Sequence, residues 1–127
     1  MISIHDNEIT SYQVDLKNHR IIVYTEAPSN SELVEVSFEG VLAHRFEAQL
    51  EGSIILDIQE YGLKGFFEDN KELLEKQKDY CWPLHYDSID ELSVRLTTEG
   101  YLYYVIYSSY GLNGWIVAKQ YAVNRVV

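Results

Sequence analysis

A chain of 127 residues with 46 % hydrophobic and 24 % charged residues has the composition of one globular domain, large enough to bury a core without disulfides or metal. Ten Lys and Arg against 20 Asp and Glu leave a net charge of -10, which argues against binding a phosphate backbone and favours a partner with a basic surface. Apolar runs such as SIIL and YLYYVIY fall well short of the roughly 20 residues of a membrane-spanning helix. MISIHDNEIT lacks a basic-then-apolar signal, and Cys81 is the one cysteine, so a cytoplasmic protein with an inert, part-buried thiol and no cofactor is expected.

In chain order, Thr10, Tyr12, Val14 and Leu16 alternate with polar residues and predict a first strand, and Lys17-Asn18-His19 supplies a polar turn. RIIVYTE at 20–26 returns as a β-branched strand, so the two form a hairpin, and the Pro-containing loop 27–31 ends it. Val34, Val36 and Phe38 alternate with Glu35, Ser37 and Glu39, which predicts a strand with one buried and one wet, acidic face. Residues 41–50 are open between a strand and an irregular segment, and SIILDI at 53–58 reads as a strand.

After Gly62 the period changes. Leu63, Phe66, Phe67 and Leu74 fall at helical spacing and Glu72 precedes Lys76 by four, predicting one amphipathic helix over 63–78 whose four apolar residues pack on the sheet. Pro83 stops it. Ser88 and Glu91 make a capping box for a second helix with Ile89, Leu92 and Leu96 as its stripe, and Gly100 suits a left-handed end. Strands at 101–109 and 115–123, joined by a Gly-Leu-Asn-Gly turn, complete the chain.

This order predicts an α+β fold: a mainly antiparallel sheet of six or seven strands, with two helices packed on one face and the other face left to solvent or a partner. In YLYYVIYSSYGLNGWIV, Tyr101, Tyr103, Val105 and Tyr107 share one strand face, and Leu102, Tyr104, Ile106 and Ser108 the other. So aromatic a strand belongs in a half-buried, near-central position. The alternative is a binding surface, for which Tyr107 and Tyr110 are candidate anchors, with Trp115 beyond the turn at the sheet's end.

The four histidines have no zinc-helix spacing and no nucleophile elbow or phosphate loop is present. His44, with Glu47 to orient it, is the one local acid–base pair that a small enzyme would use. Charge is unevenly spread. Residues 26–60 hold eight acidic side chains against only Arg45, a concentration that serves solubility or a basic partner. Glu35 and Glu39 on one strand, with Asp57 and Glu60 as a possible carboxylate pair, are the candidate partner-binding carboxylates.

VSFEGVLAHRFEAQL at 36–50 and SSYGLNGWIVAK at 108–119, in a small acidic α+β chain, resemble the immunity proteins of bacterial polymorphic-toxin and contact-dependent growth-inhibition systems. The resemblance implies a non-enzymatic protein that binds a cognate toxin domain in the cytoplasm and blocks it. Many such toxins are nucleases with basic surfaces. It transfers no binding residue, so Glu35, Glu39, Asp57, Glu60, Tyr107 and Tyr110 rest on charge and pattern. A small enzyme and an interaction module with a different partner remain the alternatives, and the oligomeric state stays open.

Overall fold

The computed structural model describes residues 2–126. Eight strands form one antiparallel sheet: β1 (Glu8–Asp15), β2 (Arg20–Glu26), β3 (Leu33–Glu39), β4 (Ala43–Glu47), β5 (Ser53–Tyr61), β6 (Leu102–Tyr110), β7 (Asn113–Ala118) and β8 (Gln120–Arg125). Three helices, α1 (Leu63–Asp69), α2 (Lys71–Gln77) and α3 (Ile89–Thr98), lie between β5 and β6. The α+β class, the β1–β2 hairpin and the wet outer face of β3 follow the alternation of the sequence. The strand count is eight rather than six or seven for two reasons. The open segment 41–50 contains β4, and the expected strand 115–123 divides at Lys119 into β7, beside β6, and β8, beside β3.

That division closes the sheet. The strand order is β4-β7-β6-β5-β1-β2-β3-β8, yet β3 runs into β4 through three residues and β7 into β8 through one. The junction is hydrogen-bonded across: Leu42 N–H donates to Val117 O at 2.9 Å and Lys119 N–H to Glu39 O at 3.0 Å. The sheet therefore curls back on itself, and Phe38 of β3 meets Tyr104 of β6 edge-on with ring centroids 5.5 Å apart. Its inner face is a core of Ile21, Val23, Val36, Phe38, Ile55, Tyr104, Ile106 and Ile116. The expectation that the face away from the helices meets solvent or a partner is corrected here, because curling turns that face inward.

The helices cover the outside of β7 and β6, where Phe66, Leu74, Leu92 and Leu96 pack on Tyr103, Trp115 and Val117. One helix over 63–78 was expected; the structure breaks it at Asn70, whose φ of -119° leaves the helical region. The Asn70 N–H still donates to Phe66 O at 3.1 Å, and its side-chain amide donates to the same oxygen at 3.1 Å. Asn competes with helix propagation by such local bonds. Phe67, expected in the core, is half-buried, while Leu63, Phe66 and Leu74 are buried as expected.

α3 starts where its cap demands. Ser88 Oγ accepts the Glu91 N–H at 3.1 Å, whereas Glu91 Oε2 accepts from Asp87 N–H at 3.3 Å, one residue earlier than a reciprocal box requires. Gly100 ends the turn at φ +87°. Ser88→Ala is expected to destabilise the fold by about 0.5–2 kcal/mol, seen as a lower denaturant midpoint. An unchanged midpoint would show that the flanking packing alone holds the helix start.

Candidate partner-binding surface

Register on β5 and β6 sorts the candidate residues. Asp57 lies opposite Tyr107, Glu60 opposite Tyr104 and Tyr61 opposite Tyr103. Alternation then sends Tyr104 and Ile106 inward and Tyr103, Val105 and Tyr107 outward, so β6 is aromatic on both faces because both are packed. The outward row meets the broken end of α1. Tyr103 O–H donates to Asp69 Oδ2 at 3.2 Å and accepts from the Asn70 amide at 3.5 Å. Burial pushes the Tyr103 phenol up to about 12; the Asn70 amide opposes this and the Asp69 carboxylate adds to it. The hydroxyls of Tyr61 and Tyr107 lie 3.0 Å apart. That bond, then burial, then Asp69 raise Tyr107 above the ordinary tyrosine value.

Asp69, Asn70, Tyr103 and Tyr107 border an outer groove of about 460 Å³ between the end of α1 and β4. Tyr103, Val105 and Trp115 line its floor. Asp69 and Tyr107 stand at one end, and Arg45 and Glu47 of β4 at the other, paired at 3.1 Å. Trp115 is 7 % exposed, because Phe66 packs edge-on against it at 5.2 Å. The expectation that Trp115 stands free at the sheet's end is thereby corrected.

Glu39 and Glu60 meet elsewhere. They line a second groove, of about 370 Å³, with Tyr104, Lys119 and Tyr121. Burial, then Glu60, pushes the Tyr104 phenol up to about 12, and burial with the charges of Asp57 and Glu60 raises Tyr121. Glu39 is already paired with Arg20 at 3.5 Å. Glu35 lies apart on the outer face of β3 between Tyr24 and Asn124. Tyr110 stands at the far end of β6, opposite Ile54 and 55 % exposed. The structure thus brings Glu39 together with Glu60, sets Asp57 opposite Tyr107 in strand register while its charge acts on Tyr121, and leaves Glu35 and Tyr110 separate.

Asp69, Asn70 and Tyr61 join the site without having been singled out in the sequence. Asn70 had one local signal, a poor helix former inside a helical stripe. Tyr61 and Asp69 had none, since each meets its partner only through strand or helix packing.

His44 and Glu47 do not form an acid–base pair. They alternate to opposite faces of β4: His44 is half-buried with its ring 5.2 Å from that of Phe46, and Glu47 turns to Arg45. Burial lowers the His44 pKa. Cys81 is exposed rather than part-buried. No helix among the described residues is long and apolar enough to cross a membrane. Searches of protein-family models, of curated proteins and of solved structures find no match to this chain.

Proposed function

We propose that this protein is a non-enzymatic inhibitor that captures a basic protein domain in the cytoplasm through the acidic residues of β3 and β5 and the tyrosines of β6, and that the domain is a toxin against which it confers immunity. The toxin identity rests on the resemblance of 36–50 and 108–119. The capture chemistry rests on unpaired charge. Of the eight carboxylates in 26–60, Glu32, Glu39 and Glu47 pair with Arg125, Arg20 and Arg45. Glu26, Glu35, Glu51, Asp57 and Glu60 have no Lys, Arg or His partner among the described residues. Glu26, Glu35, Asp57 and Glu60 are held on strands and Glu51 lies in the turn before β5, and together these charges generate an attractive field for a cationic surface.

The test is binding and neutralisation of a toxin-type domain encoded beside this gene, using Glu35→Lys, Asp57→Asn, Glu60→Lys and Tyr107→Ala. Asn is chosen at 57 because Asp57 Oδ1 accepts the Ile58 N–H at 2.8 Å, and an amide oxygen keeps that bond. Charge reversal at the rim is expected to slow association and flatten its dependence on salt, while loss of a desolvated anchor accelerates dissociation at a cost of about 2–5 kcal/mol. If all four variants bind and neutralise as the parent does at low and high salt, the acidic surface only solubilises. If the captured partner proves unrelated to a toxin, the protein is an interaction module of another kind.

A further inference from the structure

Resting on that reading, we propose that the groove between the end of α1 and β4 is an anchor pocket for an arginine side chain of the partner. Its two ends differ in charge. At the β4 end Arg45 already satisfies Glu47 at 3.1 Å. At the α1 end the Asp69 carboxylate is held by the Tyr103 hydroxyl at 3.2 Å and has no cation among the described residues. A cation entering this end meets uncompensated negative charge beside aromatic rings.

The rings decide which cation. Tyr61 and Tyr107 are 42 % and 41 % exposed, and the bond between their hydroxyls holds the two side chains together at the groove's edge. A guanidinium is planar, weakly hydrated and forked, so it stacks on a tyrosine face while donating in parallel to a carboxylate; an ammonium is a compact, strongly hydrated point charge that gains less from the same surroundings. The groove, at about 460 Å³, has room for such a side chain and part of its neighbours. Tyr103, itself bonded by the Asn70 amide, holds Asp69 from behind, so less ordering remains when the guanidinium arrives.

The probe is Nα-acetylarginine amide, titrated into the 15N-labelled full chain, with the lysine amide and the uncharged citrulline amide alongside. Saturable shifts confined to the amides of Asp69, Asn70 and 103–107 are expected for arginine, weaker ones for lysine and none for citrulline. Asp69→Asn, whose amide oxygen still accepts from Tyr103, is expected to weaken the arginine response about tenfold while the melting temperature holds, and Tyr107→Ala to weaken it by a similar factor. Equal responses to arginine and citrulline, non-saturating shifts spread over the acidic surface, or an unchanged response in Asp69→Asn would overturn the pocket. The two ideas fail separately. Absence of arginine binding, with charge-reversal variants still losing a basic partner, removes the pocket and keeps the capture function. A selective arginine response with no basic domain captured does the opposite.

Discussion

Phe66→Ala is expected to lower the unfolding free energy by about 3–5 kcal/mol, the range for removing a fully buried ring that its surroundings cannot refill. Phe66 is 0 % exposed and is the hub between helix and sheet: its ring lies 5.2 Å from Trp115, 5.6 Å from Tyr103 and 5.2 Å from Phe67. Three rings lose a neighbour at once, and two of them form the floor of the outer groove. Phe67→Ala is the comparison, since that ring is half-buried and should cost clearly less. Urea unfolding with an unchanged m-value reads the difference. Equal midpoints for the two variants would mean that Phe67 carries as much of the helix–sheet packing as Phe66.

Gly114→Ala is expected to cost about 3 kcal/mol or more and to loosen β4. Gly114 has φ +155°, and a Cβ built on it would stand 2.0 Å from the backbone oxygen of Arg45 and 3.0 Å from the Phe46 Cα. Backbone conformations reserved for glycine cost other residues about 1–3 kcal/mol by themselves. Because the obstruction is backbone, no rotamer relieves it, and β4 must move away from β7. Arg45 and Glu47 would move with it, so one end of the groove is lost together with stability. Hydrogen exchange should accelerate in 43–47 before the rest of the sheet. Gly62→Ala is the control, with nothing within 4 Å of its added Cβ, and should stay within about 0.5 kcal/mol. A Gly114→Ala variant as stable as that control would show that β4 contributes no essential pairing.

Much of this molecule was legible in local sequence. The period-2 pattern of Val34 to Glu39 placed the buried and wet faces of β3, because each residue's side is set by the pleat alone. Leu63, Phe66 and Leu74 marked the packed side of the helices, Ser88 the start of α3 and Gly100 its end, since caps and stripes are interactions within a few residues. Where local signals competed, reading was poorer. Phe67 fits the helical stripe as well as Phe66 does, and only the packing of α1 on Tyr103 and Trp115 makes Phe66 the buried ring and Phe67 the half-buried one. Within 41–50, Ala43 to Glu47 is a strand because β7 lies beside it.

By itself the sequence determined the α+β class, one strand hairpin, the boundaries of α3 set by its caps, and an acidic excess in 26–60. The tertiary structure decided that β3 and β8 close the sheet on itself, so that the face opposite the helices became core rather than surface. It also decided which side chains meet: Tyr107 with Tyr61, and Tyr103 with Asp69. Alternation and helical period report which side of its own element a residue occupies. They carry no information about which distant element lies opposite, and that is set by strand register and by the shared burial of faces far apart in the chain.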